Sequence, residues 1–521
     1  MEKSNLDNKS KKNQDNEETI LVWLESGPYP YTNLGIVSAL SKLGKFNFIG
    51  IINSKQDISF LQKQNFVQFK KLLYYPDCYI GKSTFNLNNI KKIEEQFDLK
   101  LWLDIFTDRT WFYKFHTNFH KFTYKEILTI TENSLLFFID VLEKYHPKIL
   151  IMQRAGENFS NLLLYRLAKK MNIKVLMTID LHLKNHIHIS DNLTGDEISN
   201  DFIKLREDFS DSIEKYDKEF LESNKFSEIL EIIASFDSGI DSLPQKIKHY
   251  FKRLSNNLEP VYINTGKTKI NLLKYRWSNY FETKKREQFL DNNAIKIIED
   301  DKFLYFPLQS EPEAAILVNT PFYNNQLSLI ETIAKSIPIN FTLYVKEHPL
   351  QKEKSWRPIQ VYKDIINIPN VKFLHPDVDA QKLLEKSQGV ITISGATGFE
   401  ALFYKKPVIL FGDEDYDKLS MITKIKTIND LPKKIASALT NFKFDEREFG
   451  IFMAVFKKHA LPIPYYSMMK EGVYLSSIQR NKQEFDSTNL YFQKFYEKYE
   501  NDFKLIASAI FSRLQKNNIL K

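Results

Sequence analysis

The chain of 521 residues contains one cysteine, Cys78, so neither a disulfide framework nor a cysteine-based zinc cluster is open to it. Glycine and proline are sparse, at 15 and 18, which excludes collagen-like and low-complexity classes. No stretch approaches the ~18 uninterrupted apolar residues of a membrane-spanning helix. The opening MEKSNLDNKSKKNQDNEE lacks the apolar segment of a signal peptide, so a reducing, cytoplasmic compartment is expected. What the chain does have is 43% hydrophobic residues, over a length that suits about two or three domains with sizeable cores.

The net charge of +8 is concentrated in one stretch. Between Lys246 and Phe289 eleven Lys and Arg face only Glu259, Glu282 and Glu287, a surplus equal to that of the whole chain. The same stretch holds Tyr250, Phe251, Tyr275, Trp277, Tyr280 and Phe281. Basic residues interleaved with aromatics suit anionic lipid or nucleic acid. A plain solvated helical face is the simpler reading. The stretch carries no nucleic-acid-binding motif, so nucleic acid is not an expected partner.

Residues 1–18 are polar and aperiodic and are expected to form a disordered tail. Strands are predicted at Ile20–Leu24, Phe46–Ile52, Lys148–Met152 and Lys174–Ile179, with helices near 34–43, 90–100, 125–145 and 158–171 between them. That alternation implies a parallel sheet built from βαβ units, over residues 19–194. Residues 195–298 show no strand pattern and read as a helical, basic linker. The alternation resumes over 299–435, with strands at Phe303–Pro307, Phe341–Lys346, Val371–Leu374, Gly389–Ser394 and Pro407–Phe411. Residues 436–521 read as a helical C-terminal segment. The expected fold class is therefore α/β and GT-B-like, with two Rossmann-like parallel-sheet domains, a helical linker and a helical tail. Other two-lobed α/β proteins share this layout, so it does not decide function.

Ligands of open parallel sheets bind beyond the carboxyl ends of the strands, and four loops in the second half follow such ends. Ser394-Gly395-Ala396-Thr397-Gly398 leads into a helix whose free amides suit a phosphate. Thr397 and Glu400 also have the spacing of a capping box, a purely structural alternative. Lys346-Glu347-His348-Pro349 places an imidazole and an ammonium where a nucleotide phosphate or leaving oxygen would lie, or forms an ordinary turn. Gln309-Ser310-Glu311-Pro312-Glu313 offers two carboxylates for sugar hydroxyls or acid/base work, or is a polar loop opening a helix. Gly412-Asp413-Glu414-Asp415-Tyr416 lacks EF-hand spacing and reads as a solvated loop or cleft rim.

The run Tyr305-Phe306-Pro307-Leu308-Gln309, then Pro312-Glu313, Leu343-Tyr344-Val345-Lys346-Glu347-His348-Pro349, Thr392 through Ala401 and Lys406 through Gly412 resembles the bacterial capsule polysaccharide biosynthesis family. The first half resembles it more loosely, through Leu101-Trp102, Asp108-Arg109 and Gln153-Arg154-Ala155-Gly156-Glu157. That family includes Kdo transferases with a GT-B fold that use a CMP-activated sugar. The resemblance implies contact of His348 and Pro349 with the CMP phosphate, a glycine-rich donor loop at Ser394, Gly395 and Thr397, Glu400 on the ribose, and the Pro-Glu pair at Pro312 and Glu313. Family members usually carry Gln where this chain has Glu311, so nonulosonic acids other than Kdo stay open as donors.

The first half is then expected to hold the acceptor and the acid/base group. Glu157, in a strand-end loop, is the first candidate for the catalytic carboxylate, with Glu25 and Asp180 behind it; Glu157 can equally complement a helix dipole. His348 and Glu313 complete the expected catalytic set, beside donor contacts from Lys346. The cluster His182, His186 and His188 raises a metal reading, which lacks an adjacent carboxylate pattern. The expected function is a cytoplasmic glycosyltransferase of surface polysaccharide assembly, without metal or cofactor beyond a CMP-sugar donor. Its acceptor is a glycan or lipid-linked glycan, and the 246–289 stretch is expected to rest on the inner membrane leaflet. A CDP-glycerol or CDP-ribitol phosphotransferase and a non-catalytic assembly or export factor are the competing readings.

Overall fold

In the computed structural model, residues 17–112, 119–207, 214–224, 266–352, 354, 356–482 and 485–516 are described. Residues 1–16 of the expected tail lie outside them, and Glu18 already opens a strand. The N-terminal lobe is built on β1 (Glu18–Leu24), β2 (Phe46–Ile52), β3 (Phe69–Tyr74), β4 (Ile149–Gln153), β5 (Lys174–Asp180) and β6 (His186–Ser190). β1 runs parallel to β2 over its whole length, Glu18 opposite Phe46 and Leu24 opposite Ile52, and parallel to β4 on its other side. From edge to centre the order is β3-β2-β1-β4-β5, with β6 antiparallel beyond β5.

β1 reads as a continuous apolar run because both of its faces are covered. Ile20, Val22 and Leu24 enter one core and Leu21 and Trp23 the other. α1 (Tyr29–Ser41) covers the first face; α2 (Tyr124–Tyr145) and α3 (Phe159–Lys170) cover the second. α2 starts at a capping box in which Thr123 and Glu126 each satisfy the other's backbone N–H.

α4 (Lys269–Asn293) leads toward the second lobe, where Leu290 enters the core. That lobe is a six-stranded parallel sheet of β7 (Phe303–Pro307), β8 (Thr342–Lys346), β9 (Val371–Leu374), β10 (Gly389–Thr392), β11 (Val408–Leu410) and β12 (Ile422–Lys424). Its order, β9-β8-β7-β10-β11-β12, is that of the doubly wound dinucleotide-binding fold. Phe303 and Tyr305 face one core, joined by α5 (Ala396–Phe403) and α6 (Glu446–His459), while Leu304 and Phe306 face the other.

After α6 the chain returns to the first lobe. β13 (Leu461–Pro462) adds an antiparallel edge to β6, and α7 (Tyr465–Lys482), α8 (Phe485–Lys498) and α9 (Glu500–Lys516) follow. Phe492, Phe495, Phe503 and Ile506 share a core with Tyr31 and Leu34 of α1. Gly35 permits this packing, since a β-carbon there would sit 2.3 Å from the Phe503 ring. Two Rossmann-like domains and a helical C-terminal segment thus match the expected GT-B-like class. Among the described residues no helix is long and apolar enough to cross a membrane.

Four strands depart from expectation. β3, FKKLLY, is an edge strand whose Lys70 and Lys71 interrupt the apolar run, and β6, HIHIS, alternates polar and apolar residues. β12 and β13 have three and two residues, too few for a periodic signal. β6 sits at 186–190, before the linker, and the elements described within 195–298 are helices, apart from an isolated parallel bridge of Ile295 to Leu374.

Candidate functional site

In each sheet the strand order reverses next to the first strand, between β1 and β4 and between β7 and β10. Loops on either side of such a point diverge and leave a crevice. The two crevices face each other and form one cavity of about 500 Å³. It is lined from the C-terminal lobe by Glu313, Lys346, His348 and Pro349 and by Ser394, Gly395, Thr397 and Glu400. Glu157, Asp180 and His182 line it from the other side. Residues far apart in sequence therefore converge here because each follows a strand at the same end of its sheet.

Gly395 precedes α5 with φ +92°, a left-handed conformation that a side chain resists. No side chain caps the helix, and Thr397 lies inside it, so the capping-box alternative is absent. The Gly395 N–H donates to Glu414 Oε1 at 2.5 Å, where an anionic ligand would also find it. The hydroxyls of Ser310 and Ser394 are buried, line the cavity and have no hydrogen-bond partner among the described residues. Unpartnered buried hydroxyls in a cavity wall are groups left for a ligand. The Gln309 amide fixes the loop by donating to the Ser394 carbonyl at 3.0 Å.

His348 accepts the Leu350 N–H at Nδ1, 3.2 Å away. Burial pushes its imidazole down to about 3, against the pull of Glu313. It is therefore neutral at physiological pH with its proton on Nε2, a hydrogen-bond donor. Lys346 is 4% exposed, and burial lowers its ammonium to about 8, opposed by Glu347 and Asp377. Glu347, between them, is engaged elsewhere: it accepts from Arg357 Nε at 2.8 Å and from Tyr362 at 2.8 Å.

Glu311, the departure from the family pattern, belongs to the same buried network. Arg357 Nη1 lies 2.7 Å from its carboxylate, and Gln326 donates to its other oxygen. Glu311 does not line the cavity. Of the loop's two carboxylates only Glu313 reaches the cleft.

Arg109 joins the lobes. Its Nη1 is 2.7 Å from Glu157 and its Nη2 3.8 Å from Glu313. Asp108 beside it accepts the N–H groups of Thr110, Trp111 and Phe159, which pins the loop to the start of α3. Lys354 holds Glu313 from the other side. Burial raises the Glu313 carboxyl, but Lys354 and Arg109 outweigh it and keep the group below the usual carboxylate range. Glu157 precedes Asn158, whose side chain caps α3, so its partner is Arg109 rather than the helix end.

Glu25 is a structural tie. It accepts from Trp23 at 2.9 Å, from Asn161 at 3.0 Å and from Gln153 and Asn158, and it does not line the cavity. Asp180 lines the cavity and accepts the Tyr466 hydroxyl at 2.9 Å. Tyr466, Tyr465 and Met469 of α7 bring the C-terminal segment into the site. Sequence reasoning missed these, as well as Lys354; the strand that precedes Tyr465, β13, has two residues and leaves no periodic signal.

The three histidines do not form a metal cluster. His186 pairs with the Lys184 carbonyl and His188 with Glu197 at 3.5 Å. His182 instead meets the 412–416 loop, with Nε2 3.2 Å from Glu414 and 3.7 Å from Asp415. Of the two expectations for that loop, a solvated loop or a cleft rim, the second fits: Glu414 lines the cavity, while Tyr416 is fully buried and donates to the Gly395 carbonyl at 2.8 Å. The ligand atoms of His182, Glu414 and Asp415 lie within 4.8 Å of one another, close enough to hold a cation. Burial would lower His182, but Asp415 and Glu414 raise it to about 9. At neutral pH the imidazolium itself is the positive charge between the two carboxylates.

No curated protein matches the chain. Among solved structures, UDP-GlcNAc 2-epimerase from Methanocaldococcus jannaschii is 17% identical over 84% of this chain and 99% of its own, at a TM-score of 0.24. Thermosulfurimonas dismutans KpsC, a β-Kdo 2,7 transferase, is 14% identical over 71% and 87%, at a TM-score of 0.31. The β-Kdo 2,4 transferase of the same protein is 9% identical over 60% and 85%, at 0.29. Residues 214–430 match the family model described as capsule polysaccharide biosynthesis protein. That span, which carries the C-terminal wall of the cleft, is where the chain is similar to capsule polysaccharide biosynthesis proteins.

Proposed function

We propose that the chain is a glycosyltransferase of capsular or other surface polysaccharide assembly. It moves a sugar, Kdo or another nonulosonic acid, from a CMP-activated donor to a glycan or lipid-linked acceptor, with no further cofactor. The carrying observation is the chemistry of the cleft's C-terminal wall. An uncapped helix start, the unpartnered Ser310 and Ser394 hydroxyls, a neutral His348 with its proton on Nε2, and the Lys346 ammonium all face one cavity. Together they suit a phosphate monoanion becoming a dianion.

In the reaction the bond from the anomeric carbon to the phosphate oxygen breaks and its electron pair leaves with CMP. The Nε2–H of His348, the Lys346 ammonium and the amides of α5 stabilise that charge. The acceptor oxygen bonds to the anomeric carbon and its proton passes to Glu157, across the cleft. Arg109 orients Glu157, and Glu313, ionised between Lys354 and Arg109, holds Arg109 at the lobe boundary. Glu400, which lines the cavity, takes the ribose hydroxyls in this reading.

Donor turnover tests the reading. CMP release from CMP-Kdo or a related CMP-nonulosonate, falling ~10²–10⁴-fold in Glu157→Gln, is the expected result. CMP release from CDP-glycerol or CDP-ribitol instead would make the enzyme a phosphotransferase, and no release from any donor would leave an assembly factor.

A further inference from the structure

We propose that the outer face of α4 is a docking surface for an anionic lipid bilayer and that it seats the cleft beside that bilayer. The face is defined by exposure. Ile270, Trp277, Tyr280 and Phe281 are 67%, 63%, 59% and 54% exposed, and Leu273 is 39% exposed. Their spacings of three and four residues set them on one stripe of the helix. A contiguous exposed apolar stripe marks an interaction site.

The opposite side of the helix is what holds it in place. Tyr275 packs on Phe119 with ring centroids 4.8 Å apart, Phe289 stacks on Tyr362 and Leu290 is buried. The stripe is therefore not the helix's seam to its own fold.

Charge selects the occupant. Lys274 and Lys285 are exposed along one border of the stripe and Lys284 at its C-terminal end, with Lys284 3.0 Å from Glu287 and Lys285 3.5 Å from Glu282. The helix as a whole carries six Lys and Arg against three acids. Trp and Tyr at the centre with Lys at the margins is the composition of a helix lying in the plane of a membrane interface. Its aromatics enter the headgroup boundary while the ammonium groups meet anionic lipid. An apolar protein partner would have no use for the lysine border.

The position of α4 gives the surface a purpose. At its start, Gly266 approaches the Phe119 backbone so closely that a β-carbon would lie 2.3 Å from the carbonyl oxygen. At its end, Glu287 pairs with Lys352 at 3.2 Å and Arg286 donates to the Trp356 carbonyl. Lys352 and Trp356 follow closely in sequence from the His348-Pro349 wall of the cavity. α4 thus runs from one lobe to the other beside the cleft, and docking through it brings the cavity close to the lipid surface. The part of the expected basic stretch from Lys246 to Arg253 lies outside the described residues. Docking itself does not depend on the donor chemistry.

Vesicle flotation of the full chain tests this, with phosphatidylcholine vesicles with and without phosphatidylglycerol. Co-flotation with the anionic vesicles alone, weakening as salt rises, is expected. The exposed double variant Trp277→Ala/Phe281→Ala should lose at least about tenfold in vesicle affinity. Lys274→Gln and Lys285→Gln should each lose about fivefold. An unchanged thermal transition and circular dichroism spectrum in these variants would show that the fold is kept. Absence of binding to anionic vesicles, or binding that the double variant retains, overturns the proposal. So does a dimer that only the wild type forms and that accounts for the stripe.

Discussion

His348 and Lys346 sit two residues apart at the end of β8, and burial treats them in chemically complementary ways. Both are pushed toward their neutral forms, His348 to about 3 and Lys346 to about 8. His348 is already neutral well above pH 3, so once the titration of CMP's own phosphate near pH ~6 is accounted for, CMP affinity should show no further inflection near the ordinary histidine value of ~6.5. Lys346 loses its charge in the free protein as pH rises through about 8. CMP affinity should therefore fall above that point, approaching tenfold per pH unit, while Lys346→Gln binds more weakly and gives a flat profile. Titration of CMP from pH 6 to pH 10 checks both. At Glu311 the expectation is the reverse. Glu311→Gln should leave donor preference unchanged and lower stability by about 1–3 kcal/mol, because Arg357 loses one of its two carboxylate partners in a buried site. A donor screen and a denaturant titration of that variant distinguish the two effects.

The strand–loop elements were the most legible part of the molecule. β7, β8 and β10 are largely apolar runs buried on both faces, and a run of that kind followed by Gly, His-Pro or a paired acid marks its own carboxyl end. Every residue chosen for donor contact consequently lines the cavity. Elements that meet only in three dimensions could not be read this way. His182 follows β5 and Glu414 follows β11, and nothing in either loop announces the other; their contact comes from the facing of two lobes. Glu25 misled for a related reason: a strand-end carboxylate looks catalytic until four neighbouring donors are seen to consume it. The His182 contact has its own pH signature. Its folded pKa, about 9, lies above the unfolded value, so its stabilisation is complete below pH ~6.5 and lost as pH rises through 9. His182→Gln should cost about 3 kcal/mol at pH 6 and far less near pH 10. Melting curves at the two pH values would show it.

At the scale of the whole molecule, the C-terminal helices do two jobs that the sequence pattern of a helical tail did not disclose. They cover a face of the first lobe's sheet and insert Tyr465, Tyr466 and Met469 into the cleft. Gly35→Ala presses on Phe503 in this packing and should destabilise the protein by about 1–3 kcal/mol, measured by thermal or denaturant unfolding. The two lobes, their joined ion pairs and the helices that return across them all serve one cavity. Its proposed occupant is a CMP-sugar, so calorimetric titration of CMP, CDP, UMP and UDP into wild type and His348→Ala tests the central claim most directly. CMP bound in preference to the other three, with affinity reduced about tenfold in the variant, is the result expected when one buried hydrogen bond to a charged phosphate is removed. Preference for uridine nucleotides, or CMP binding that His348→Ala leaves unchanged, would contradict it.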